Sequence, residues 1–223
     1  IQTLKAISRL NSKYSKEYET AIRQVESDLR EENICLVNDC QLDEDQPAFV
    51  RRFYYKQLDG YIAPVWFSAL KDLNNEPDDC IYLAVKMRKQ TDKTHPEYAL
   101  LQLPVNLVGR FVQLPSRGNQ HFIMYIDDVV RCTLPLIFAG LNYTIFEAYA
   151  FKFTKDAEME IDNDLRNGLL QKISKGVKSR KCGQAMRVIY DAHMPKDVLK
   201  RVLGKLNIDK LDTVLASGRY QNH

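Results

Sequence analysis

The sequence has few of the features that usually make chemistry legible. No apolar run approaches the ~20 residues needed to span a membrane, and no stretch of these 223 residues reads as a signal segment. The five cysteines, Cys35, Cys40, Cys80, Cys132 and Cys182, are odd in number and form no C-x-x-C pair. This argues against a disulfide framework and for reduced thiols in a cytosolic protein. The four histidines, His95, His121, His193 and His223, have no cysteine, histidine or carboxylate at metal-finger or metalloprotease spacing, so each reads as a surface or satisfied histidine. There is no G-x-S-x-G, no G-x-G-x-x-G and no H-x-K triplet, and internal repeats and low-complexity tracts are also absent. The net charge of +3, from 32 basic and 29 acidic residues, is too small by itself to argue for nucleic acid or a membrane surface. Any polyanion partner has to be argued from local clustering.

What is present is a globular chain. With 45% hydrophobic residues it can bury a core for one large domain or two small ones. From Leu4 the apolar residues recur as Ile7, Leu10, Tyr14, Tyr18, Ala21, Ile22, Val25 and Leu29, spacings that set them on one stripe of a long amphipathic helix. Ile34 to Val37 prolong the apolar run. Leu42-Asp43-Glu44-Asp45-Gln46 then supplies capping and acidic first-turn residues for a second helix carrying Phe49, Val50, Phe53, Tyr54 and Leu58. The pattern predicts an antiparallel helix pair, with Gly60 and Pro64 marking its exit.

After Leu73 the period becomes alternating, which places a domain boundary at 73/74. In "CIYLAVKMR", Ile81, Leu83, Val85 and Met87 face one side and Tyr82, Ala84, Lys86 and Arg88 the other, the pattern of a half-buried strand. "YALLQLP" is expected to pair with it across a polar loop, 89–97, and "RFVQLP" with "HFIMYI" around Ser116-Arg117-Gly118-Asn119. A helix follows with Val129, Val130, Thr133, Leu134, Ile137 and Phe138 on one face, kinked or shortened at Pro135. "EAYAFKFT" and "AMRVIY" read as strands, residues 162–175 as a helix, and Pro195 opens a last helix with Val198, Leu199, Val202, Leu203 and Leu206. The predicted class is α+β, with N-terminal antiparallel helices (1–73) followed by a mixed α+β region (74–223) that is not a repeating βαβ array.

Two charged stretches invite a chemical reading. The carboxylates Asp156, Glu158, Glu160, Asp162 and Asp164 fail the calcium-loop pattern because Ile161 stands where glycine is needed, and they suit the positive end of a following helix better. Residues 172–187 hold Lys172, Lys175, Lys178, Arg180, Lys181 and Arg187 and no acid, the best local argument for a polyanion, although a solvated helix end accounts for them too. "SKGVKS" does not match a phosphate loop, since Val177 follows Gly176 where lysine is required.

In order along the chain, "YLAVKM", "YALLQLPVNLVGRFVQLP", "YAFKFTKDAEMEI", "RVIYDAHMP" and "SGRYQNH" together resemble the front half of bacterial polyphosphate kinase. The resemblance implies that residues 1–73 are the later part of a helical N-terminal domain and 74–223 the α+β head, which in that family mediates dimer contacts. It implies a parent enzyme that transfers the terminal phosphate of ATP to inorganic polyphosphate through a phosphohistidine, with ATP and Mg as its cofactors. In the family the phosphate-accepting histidine belongs to two phospholipase-D-like catalytic domains that follow. This chain alone is therefore expected to bind no cofactor and to be inactive. "SGRYQNH" stands for the family's Gly-Gly-Arg-Tyr-His-Asn, with Ser217 and Gln221 as departures, and it adds Arg219 to the candidate polyanion contacts. Apolar residues persist almost to His223 and a helical pattern begins near Ile1, so both ends are expected to lie inside a longer protein. The family implies a cytoplasmic homo-oligomer with at most peripheral membrane association and no nucleic-acid partner. A non-catalytic scaffold or polyanion-binding module is the alternative.

Overall fold

The computed structural model describes residues 2–43, 45–78, 80–155, 185–208 and 213–221. Its helices and strands, in chain order, are α1 (Gln2–Glu31), β1 (Ile34–Val37), α2 (Gln46–Phe53), β2 (Val65–Trp66), β3 (Tyr82–Lys89), β4 (Asp92–Gln102), α3 (Val105–Val108), β5 (Phe111–Arg117), β6 (Gln120–Tyr125), α4 (Ile126–Ile137), β7 (Ile145–Lys155), β8 (Ala185–Asp191), α5 (Lys196–Lys205) and β9 (Val214–Ser217). The class is α+β. Compactness divides the chain into two units, Ile1–Asp59 with Pro104–Thr133, and Gly60–Leu103 with Leu134–His223. The composition boundary at 73/74 falls inside the second unit. The expected helix over 162–175 lies outside the described residues.

The first unit is built on a three-stranded sheet in the order β1-β6-β5. β5 and β6 form a hairpin closed by Gly118-Asn119, where Gly118 takes φ +53, a left-handed conformation that glycine adopts without steric cost. β1 runs parallel to β6, from Ile34 opposite His121 to Val37 opposite Met124. The sequence pattern predicted a direct step from one helix to the next, whereas the structure inserts this strand. The reason is local. Asn33 ends α1 in the left-handed region at φ +62, as residues after a helix C-terminus often do, and the apolar run Ile34-Cys35-Leu36-Val37 then finds a sheet edge. α1 packs on β1, and α2 packs on β5.

The second unit is a six-stranded sheet in the order β2-β4-β3-β7-β8-β9. β3 and β4 meet in a tight hairpin, so the expected loop over 89–97 is strand from Asp92 onward. Pro96 is tolerated because β2 pairs with β4 only at Leu100 and Ala99, leaving the edge free where Pro96 lacks its donor. The half-buried reading of β3 also needs correction. Tyr82, Leu83, Ala84, Val85 and Met87 are all buried, because β3 lies between two longer strands and both of its faces are covered. On the Tyr82 face the core contains Ala84, Tyr98, Leu100, Phe151, Phe153 and Val188 of the sheet, sealed by Val198, Val202 and Leu206 from α5 and the residue after it. β8, α5 and β9 form one βαβ crossover with β8 parallel to β9, a strand that the sequence reading left as an apolar tail. Pro195 sits just before α5, as predicted, while α4 runs two residues past Pro135, which falls in its last turn.

Candidate functional site

Of the basic stretch, Lys172, Lys175, Lys178, Arg180 and Lys181 lie outside the described residues. Arg187 is on β8, exposed, and opposite Thr154 of β7. Because side chains alternate along a strand, Arg187 and Ile189 share a face with Lys152 and Thr154 of β7 and with Leu215 of β9. Sheet pairing therefore brings Lys152, which the sequence reading passed over, diagonal to Arg187. Two cations and a hydroxyl on one face, with Arg187 and Thr154 exposed and Lys152 half-buried, suit an anion.

Arg219 does not join them. Ser217 pairs with Asp191 at the far end of β8, so Arg219 lies beyond the opposite end of the strand from Arg187, a separation of roughly 13 Å or more at about 3.3 Å per residue. There the Arg219 guanidinium lies 5.9 Å from the centre of the Tyr220 ring. Gln221 is buried and donates to the Gly218 carbonyl at 3.0 Å, closing the turn.

A second polar cluster joins α5 to the sheet. In register, Lys86 of β3 stands opposite Tyr98 of β4 and Glu147 of β7. Lys86 Nζ lies 2.6 Å from Asp197 Oδ2 in the first turn of α5, and the Tyr98 hydroxyl donates to the same oxygen at 2.7 Å. Arg201, one helical turn on, stacks its guanidinium 4.0 Å over the Tyr98 ring. Beside them Tyr149 donates to Glu147 at 2.8 Å, and Arg88 pairs with the other Glu147 oxygen. Partial burial alone would raise the Asp197 carboxyl, but its bonds from Lys86 and Tyr98 and the Lys86 charge outweigh that and hold it at about 2. Burial, reinforced by Glu147, pushes the Tyr149 hydroxyl up, and burial with Asp197 does the same to Tyr98. Neither phenol can serve as a base near neutrality. The cluster is a clamp.

The three described histidines each engage a near neighbour. His95 bonds to Asp92 and Thr94, and His121 to Ser116 at 3.0 Å. The Asp92 carboxyl is held below its usual range by the Thr94 hydroxyl and then by His95. His193 is oriented by buried Asp191, which lies 3.0 Å from its Nδ1, but its side chain is 84% exposed. Among the described residues no hydroxyl, thiol or second histidine completes that pair into a nucleophile, and no three His, Cys, Asp or Glu converge as metal ligands. The carboxylates over 156–164 are outside the described residues, so no residue here is assigned to magnesium.

The family model described as "Polyphosphate kinase middle domain" matches residues 45–223. The polyphosphate kinase of Vibrio parahaemolyticus is 31% identical over 218 residues, covering 96% of this chain and 30% of the relative. That of Escherichia coli K12 is 29% identical over 215 residues, covering 94% and 31%. The crystal structure of polyphosphate kinase from Porphyromonas gingivalis matches with a TM-score of 0.77 at 23% identity, over 98% of this chain and 31% of that one. The chain thus spans about a third of the length of the relatives it matches.

Proposed function

The chain belongs to the polyphosphate kinase family, and from that premise we propose that it is the architectural front portion of an enzyme that transfers the terminal phosphate of ATP to inorganic polyphosphate through a phosphohistidine. The observation that carries this reading is the match of the middle-domain family model over residues 45–223. In this proposal the head begins near residue 45, where the middle-domain match starts, in place of the 73/74 boundary expected from the sequence, and α1 belongs to the part before it. ATP, Mg and the phosphorylated histidine act in domains beyond these residues. The histidine surroundings support that division. Phosphoryl transfer to histidine needs cations converging on the phosphates beside the acceptor, whereas His95 and His193 are exposed and engaged by single carboxylates.

The head's role is self-association. Support comes from β9 and β5, each the edge strand of its sheet among the described residues, since strand edges favour pairing with another chain. The parent is a cytoplasmic homo-oligomer in this reading; no helix among the described residues is long and apolar enough to cross a membrane. Two measurements test the proposal. The chain incubated with labelled ATP should gain no acid-labile phosphate, and sedimentation should show a dimer. Phosphate on a histidine of this chain, or a strict monomer at high concentration, would count against it. The second reading, a polyanion-binding module without catalysis, draws on the Lys152–Arg187 face and on the stretch from Lys172 to Arg187, and it predicts polyphosphate binding without any dimer.

A further inference from the structure

The exposed face of α2 was not singled out in the sequence, because its cations alternate with aromatics in an ordinary amphipathic pattern. After Phe53 the helix continues as a π-turn over Tyr54–Leu58. Pro47, Ala48, Arg51, Arg52, Tyr55 and Lys56 form two rows four residues apart along this helix and line a shallow, open stretch of its surface. In a plain α-helix of 3.6 residues per turn such rows drift around the axis. The π-turn over Tyr54–Leu58 closes i to i+5 bonds and holds more residues per turn, which lessens that drift where Tyr55 and Lys56 follow Arg51 and Arg52. π-turns are uncommon and recur at functional sites. Here Tyr54 and Leu58 anchor the turn as buried residues while Tyr55 stays 58% exposed.

Among the described residues no carboxylate offsets the charge on this face, although the Arg52 guanidinium lies 6.0 Å from the centre of the Phe49 ring. No acid occurs from Gln46 to Leu58. Asp45, just before the helix, lies 3.6 Å from Arg117, and Asp59, just after it, accepts from the Tyr54 hydroxyl. Among the described residues no carboxylate pairs with Arg51, Arg52 or Lys56. Three cations thus stand within about 7.5 Å along the axis at 1.5 Å per residue. The planar guanidinium forks of Arg51 and Arg52, the Lys56 ammonium and the Tyr55 hydroxyl can donate to phosphate oxygens.

Resting on the family reading above, we infer that the α2 face is a docking strip for a condensed phosphate chain. A linear polyanion suits it because the cations are spread along two neighbouring rows of the helix instead of converging on one point. The strip shares no residue with the basic stretch over 172–187 or with Arg219.

The test compares binding of end-labelled long-chain polyphosphate by the chain Ile1–His223 and three variants over a salt series. Arg51→Gln/Arg52→Gln/Lys56→Gln removes the strip, Lys71→Gln/Lys93→Gln/Lys200→Gln removes equal charge at other exposed sites, and Arg51→Lys/Arg52→Lys keeps the charge. The strip variant should bind at least about tenfold more weakly near 0.1 M salt, with the slope of log K against log salt reduced by about 2–3, one counterion-release term per lost contact. The control should stay within about twofold, and the lysine variant should keep the salt slope. If strip and control variants bind alike while the native chain still prefers polyphosphate to single-stranded DNA of equal length, the docking strip is overturned and the family reading stands. If the native chain shows no such preference, the docking strip is likewise overturned, while the family reading answers to the labelled-ATP and sedimentation measurements.

Discussion

Replacing Asp197 with asparagine removes the charge that draws Lys86 to α5 while keeping an oxygen for the Tyr98 hydroxyl. In the folded protein that carboxyl sits at about 2 against an ordinary 3.8, a difference that linkage makes worth at most about 2.4 kcal/mol. The Asp197 side chain is 43% exposed, and exposed pairs seldom deliver more than about 1 kcal/mol, so about 1 kcal/mol is the working figure. With a urea slope of roughly 1.5–2 kcal/mol per molar for a unit of this size, the midpoint should fall by about half a molar. Trp66, the only tryptophan, lies in β2 of the same unit and reports its unfolding by fluorescence. The sign with pH follows from a depressed carboxyl. Its stabilisation is present above the unfolded value of 3.8 and is lost as pH falls through the folded value near 2, so about half should remain at pH 3. The midpoint difference between native and Asp197→Asn chains should therefore shrink from pH 7 to pH 3. A difference that stays constant over that range, or no difference at pH 7, would refute the clamp.

Leu83→Ala, at a position with 0% exposure in the most enclosed strand, should cost about 2–5 kcal/mol through lost burial and a cavity, seen as a large fall in the Trp66-monitored midpoint. Gly118→Ala should cost about 1 kcal/mol from backbone strain alone, since φ is +53 and an added Cβ would meet nothing within 4 Å, and Gly118→Asn should cost less; circular dichroism in denaturant separates the two. Burial, with Asp39 and Asp128 nearby, pushes the Cys132 thiol up to about 12, while Cys40 is exposed. Iodoacetamide at pH 8 should therefore label Cys40 well before Cys132, as read by peptide mass mapping, and equal rates would contradict the burial argument.

The strands legible in the sequence were those whose alternation is local. β3, β7, β8 and the β5–β6 hairpin each announce themselves within ten or so residues. β1 was not legible as a strand because what makes Ile34–Val37 extended is β6, far downstream, and not its own period. β9 was hidden for the same reason, its four residues depending on β8. Period 2 alone cannot tell a half-buried strand from one covered on both faces, which is why β3 was misjudged. The candidate site divides likewise. Clustering in sequence selected Arg187, but only strand pairing could add Lys152, and the same pairing sets Arg219 at the other end of β8. The Arg51, Arg52 and Lys56 strip was not legible because its cations sit among aromatics in an ordinary amphipathic pattern and the π-turn beside them has no residue signature.

The first unit's discontinuity in sequence also sets an order of events during synthesis. β1 has one neighbour in its sheet, β6, and Ile34 pairs with His121. A ribosome adding roughly 5–20 residues per second emits His121 on the order of 4–17 s after Ile34. For that interval the segment after α1 has no strand to join, although β3 and β4, joined by a tight turn, can already pair. β1 thus waits longer for its sheet neighbour than β3 waits for β4. Pauses or slow codons before position 121 should lengthen the exposure of α1 and α2 to chaperones and proteases, whereas equal pauses after position 133 should leave that exposure unchanged.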